Sequence, residues 1–214
     1  MTGLTDLKAL EKQAFRRFYE DGMFDIFLGV MLATMAVGAS VTDRWGNETS
    51  GILAMLGIAV VAVVSLMVVR RRLLATRLGE FKPGPTRRRR ISAVRLALLA
   101  SAVLGLLMFA VVAAGDVSIV SLEMLMPAIW FINAVVVMGA MAHFLDVPRF
   151  YLYGFLFGLV MPAMVWPDVL WDYRTPRWMS FGVPAAIIIT IGLIKLVRFL
   201  RDYPVRSTME LSDV

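Results

Sequence analysis

Residues 51–90 read GILAMLGIAVVAVVSLMVVRRRLLATRLGEFKPGPTRRRR. The first nineteen carry no charge. In the remaining twenty-one, nine are Lys or Arg and only Glu80 opposes them. A helix needs about 20 apolar residues to cross a bilayer, and positions 51–69 supply them without interruption. The run is continuous rather than alternating, so it does not fit a strand of a β-barrel. Hydrocarbon offers backbone N–H and C=O groups no partners, which leaves a helix as the solution.

The same pattern recurs. Runs at 23–41, 51–69, 91–114, 122–142, 150–166 and 180–200 each qualify as a span. The expected fold is therefore an all-α integral membrane bundle of six transmembrane helices covering 23–200. A cytoplasmic segment, 1–22, precedes it and a cytoplasmic tail, 201–214, follows. Composition agrees: 59% of the 214 residues are hydrophobic and 18% charged, with a mean hydropathy of +0.76. Soluble domains sit near 45–50% apolar and about 25% charged.

Net charge is +6, and its placement sets an orientation. With both termini in the cytoplasm, nineteen Lys and Arg residues fall inside and three outside. The positive-inside rule selects that arrangement. Trp45, Trp166, Trp171 and Trp178 then fall at the outer ends of spans, where amphipathic rings favour the headgroup level. The opening MTGLTDLKALEKQAFRRFYEDG lacks an apolar h-region, so the first span is expected to be retained rather than cleaved. Leu4, Leu7, Leu10, Phe15 and Phe18 recur at helical spacing there, which predicts an amphipathic helix at the headgroup level.

The basic loop is a candidate lipid-binding surface made of Arg70, Arg71, Arg72, Arg77, Lys82, Arg87, Arg88, Arg89 and Arg90. Basic residues beside an anionic leaflet contribute about 1 kcal/mol each. Nucleic acid is not expected as a partner, because the stretch is pinned between two spans and lacks a recognised binding motif.

Candidate polar positions are few. Asp25 lies near the inner end of span one, four residues after Asp21. Ionisable groups inside membranes are often functional, so a cation or proton site is the sharper expectation. An ion pair with Arg16, Arg17, Arg95 or the basic loop is the simpler one. Asn133 falls near mid-span, where a hydrogen bond to another helix is expected. His143 and Asp146 do not amount to a metal site. Gly154 and Gly158 form a GxxxG motif, a packing signal that serves either another helix of the chain or a second subunit. Residues 166–178, WPDVLWDYRTPRW, are expected to cap the outer end of the bundle.

There is no cysteine, and the P-loop, HExxH and GxSxG signatures are missing. No catalytic, cofactor or metal site is expected, and an enzyme ranks lowest among the possible roles. DGMFDIFLG entering span one, RLGEFKPGPTRRRR in the loop and KLVRFLRDYP at the end resemble a loosely defined set of uncharacterised small prokaryotic multi-pass membrane proteins. The resemblance implies a helical bundle in the plasma membrane and carries no activity with it. Three roles follow in order. The first is an accessory or regulatory membrane subunit, with anionic lipid and a membrane-protein partner or second copy as its contacts. The second is a small transporter or channel, and the third an enzyme.

Overall fold

The computed structural model describes residues 21–73, 85–114 and 119–202. These form six helices and, among the described residues, no strand. They are α1 (Met23–Trp45), α2 (Glu48–Leu73), α3 (Pro85–Ala114), α4 (Ile119–Leu145), α5 (Arg149–Trp171) and α6 (Arg177–Asp202). All six are long and apolar enough to cross a membrane. Each runs beyond its expected apolar run, by four residues past 41 in α1 and by six before 91 in α3. The reason is that an apolar run marks only the stretch fit to cross a bilayer, whereas helical hydrogen bonding continues through the polar residues that flank it.

Short turns set antiparallel neighbours. Gly46 ends α1 in the left-handed conformation (φ 63°), and its N–H donates to the Thr42 carbonyl. That is a glycine C-cap. Asp146 (φ 58°) and Pro148 make the α4–α5 turn, and the Val147 N–H donates to the Ala142 carbonyl. Asp172 ends α5 in the same left-handed way.

The principal helix contacts join α2 to α1, α1 to α6, α6 to α5, α5 to α4 and α4 to α3. The helices thus stand in a curved row, with α2 and α3 at its ends. The row closes on an apolar core that includes Leu32, Met141, Leu145, Phe150, Tyr153 and Ile188. Small residues let backbones approach. Gly154 and Gly158 face α4: a Cβ at either would lie 2.8 Å from a side-chain carbon, of Met138 and Phe131 respectively. In this fold the GxxxG pair packs within the chain.

The end helices are different. The most apolar stretch of α2 contains no buried residue, and that of α3 is only 6% buried. Leu53, Val60, Val61 and Leu106 are all more than 60% exposed. A helix that is apolar all round suits an apolar surrounding, and exposed patches of this extent mark membrane or protein contact surfaces. The predicted amphipathic helix, the centre of the basic loop and the tail beyond Asp202 lie outside the described residues.

Candidate functional site

Three helices bring charge together at one end of the bundle. The chain enters α1 through Asp21 and Gly22. Asp21 is 1% exposed, and its Oδ1 accepts the Met23 N–H at 3.0 Å, which satisfies one of the helix-end donors. Gly22 is left-handed at φ 74°, and a side chain there would collide with the Gly192 carbonyl of α6. On α6, Gly192 answers it: a Cβ on that residue would sit 2.8 Å from the Ile26 nitrogen and 3.1 Å from the Asp25 Cβ. Two glycines therefore place α1 and α6 almost backbone to backbone. The same approach sets Lys195 beside the start of α1, since its Cβ lies 3.0 Å from where a Gly22 side chain would begin.

Asp25 follows one turn after Asp21 and is fully buried. Its Oδ1 accepts a hydrogen bond from Arg149 Nε at 2.9 Å. Arg149 opens α5 and its side chain is 14% exposed. One turn further, Tyr153 is also fully buried. Phe24 and Phe150 wall the pair, with ring centroids 5.3 Å apart. Asp25 Oδ2 and the Tyr153 hydroxyl have no hydrogen-bond partner among the described residues. The arrangement is a buried carboxylate tied to a guanidinium, with a phenol beside it and a second acid and a lysine close by.

Asp25 thus pairs with a partner outside the expected set. Arg16 and Arg17 lie outside the described residues, and the base that reaches it is Arg149, 124 residues along the chain. The link joins α1 to α5, which are not consecutive in the packing row. In the sequence Arg149 is only one of the orientation charges, and neither Lys195 nor Tyr153 stands out there. One signal was available, since Arg149 and Tyr153 stand at i, i+4 and share a helix face.

The other polar candidates fall elsewhere. Asn133 Nδ2 donates to Ser101 Oγ of α3 at 2.9 Å. One turn before it, Trp130 Nε1 donates to the Phe157 carbonyl of α5 at 3.0 Å. Asp146 pairs with Arg90 at 3.0 Å, while His143 stacks edge-on with its neighbour Phe144. No three His, Asp or Glu side chains converge among the described residues.

Within the basic surface, Arg71, Arg72, Arg89 and Arg90 are exposed. Arg70 stands in the last turn of α2, and Arg87 and Arg88 in the first turn of α3. Arg77 and Lys82 lie outside the described residues. Arginines at a helix N-terminus oppose the helix dipole, so those of α3 do not serve helix stability. At the opposite end of α1 and α6, Trp45, Trp171, Tyr173 and Trp178 are each more than half exposed. Arg177 and Asp43 lie 3.6 Å apart there.

No family model matches the chain, and neither a curated protein nor a solved structure does.

Proposed function

We propose that this chain is an accessory or regulatory subunit of a prokaryotic plasma membrane, multi-pass, with both termini in the cytoplasm. It has no catalytic role of its own. It holds a membrane-protein partner through helix faces and anionic headgroups through the arginines that end α2 and begin α3. The observation that carries this reading is α2, which packs on α1 alone among its principal contacts and leaves its most apolar stretch uncovered. Mid-helix polar groups support it further. Thr34, Ser40 and Thr190 donate to carbonyls of their own helices, and Asn133 is bonded to Ser101. Polar groups spent in this way suit a packed bundle better than a conduit.

The test is photo-crosslinking in native membranes, with a reactive residue at Leu53, Val60 or Val64 on α2. One protein adduct shared by all three positions is expected. Adducts to lipid alone would sink the partner role.

A second reading has one observation in its favour. Asp25 is a fully buried carboxylate with Oδ2 unpartnered beside Tyr153, as a proton- or cation-coupled transporter requires. Proteoliposomes decide it. Cation- or proton-dependent flux that Asp25→Asn removes would replace the accessory role with transport.

A further inference from the structure

Near the middle of α3, α4 and α5 lies a half-open cleft of about 140 Å³. Its walls are Trp130, Val137, Met138 and Phe157, and its polar corner is Ser101 with Asn133. An apolar cavity of about 150 Å³ is large enough to take benzene. Here the indole and phenyl faces and the methionine sulfur are suited to an aromatic ring. Trp130 Nε1 is already committed to the Phe157 carbonyl, so the indole contributes its face and not its donor.

The polar corner is half used. Asn133 and Ser101 share one hydrogen bond, while an amide and a hydroxyl together offer several more. With Nδ2 donating to Ser101, Asn133 Oδ1 can still accept and the Ser101 hydroxyl can still donate. Turning the amide over exchanges these roles and leaves Nδ2 to donate. In either arrangement a single hydroxyl group, which both donates and accepts, completes the corner. Water is scarce at that depth of a bilayer, so the complement is best brought by a lipid-soluble molecule.

We infer that this cleft binds a ring-sized apolar molecule carrying one hydroxyl group, with the ring between Trp130, Met138 and Phe157 and the hydroxyl on Asn133 and Ser101. The inference rests on the bundle lying in a bilayer, and not on the partner role of α2.

The test uses the full chain in lipid nanodiscs, photolabelled with a trifluoromethyl-diazirinyl benzyl alcohol and mapped by mass spectrometry. Saturable labelling at Trp130, Met138 and Phe157 is expected. Benzyl alcohol should compete roughly fivefold better than toluene at equal bilayer concentration, the scale of one net hydrogen bond. Asn133→Leu should remove that preference but keep competition by toluene. Ser101→Ala serves the same purpose if the leucine variant does not fold. Ala134 also lines the cleft, so Ala134→Leu fills it, keeps both polar groups and should abolish labelling. Equal competition by the two compounds, or a preference that survives loss of the polar corner, overturns the proposal. Labelling of the exposed α2 face in the same sample reports insertion in the bilayer, so failure of the cleft and failure of the membrane reading are distinguishable.

Discussion

Asp25 and Arg149 are worth more as a pair than either is alone. Desolvating a carboxylate and a guanidinium is costly, and their attraction offsets that cost only while both are present. Arg149→Met strands a fully buried carboxylate, and the expected loss of stability is about 3–5 kcal/mol. The double change Asp25→Leu with Arg149→Leu leaves no stranded charge and should recover most of it. Thermal unfolding in detergent checks both. A double variant as unstable as the single one would show that the pair is not the source of the effect. Tyr153→Phe removes only a hydroxyl that has no partner among the described residues. It should not lower stability, since no hydrogen bond is lost and a buried hydroxyl without a partner is removed.

At the scale of elements, close approach decides which helices pair. A Cβ on Gly158 would lie 2.8 Å from the Phe131 ring and one on Gly154 2.8 Å from the Met138 side chain, so α5 lies against α4 with no room for a side chain. Gly158→Val should cost on the order of 1–3 kcal/mol, the usual penalty for overpacking. A Cβ added at Gly57 or Gly105 would meet no neighbouring group within 4 Å. Gly57→Ala should therefore be tolerated, and helix propensity favours it by up to about 1 kcal/mol. Unfolding in detergent of the two variants side by side makes the comparison. Equal losses would mean that the α4–α5 contact is not as close as the distances imply. Gly22 and Gly192 form the corresponding contact between α1 and α6. Gly22 carries a second constraint, because its φ of 74° is one that side chains rarely adopt.

For the whole molecule, charge and aromatic residues mark opposite ends. The exposed arginines that end α2 and begin α3 lie at one, and exposed Trp45, Trp171 and Trp178 at the other. Reporter fusions after residue 202 and within 115–118 should give cytoplasmic and external signals respectively. The reverse result would overturn the orientation. If the basic end holds anionic headgroups, the chain should unfold at a higher temperature in nanodiscs with anionic lipid than in zwitterionic ones. Replacing Arg71, Arg72, Arg89 and Arg90 by Gln should shrink that difference, and adding salt should do the same.

The apolar runs by themselves determined six long helices, because span-forming hydropathy is a local sum over about 20 residues. Their ends were less legible, since α3 begins among charged residues where hydropathy no longer reports on the helix. Asp25 stood out in the sequence as an acid in an apolar context, and Asn133 as an amide at mid-span. Only the tertiary structure decided what they meet. Arg149 reaches Asp25 across 124 residues and Ser101 takes Asn133, while the GxxxG face turns to α4. Such pairings depend on which helices stand side by side. That order follows from turn geometry and from small residues distributed over several helices, and no single window of sequence contains it.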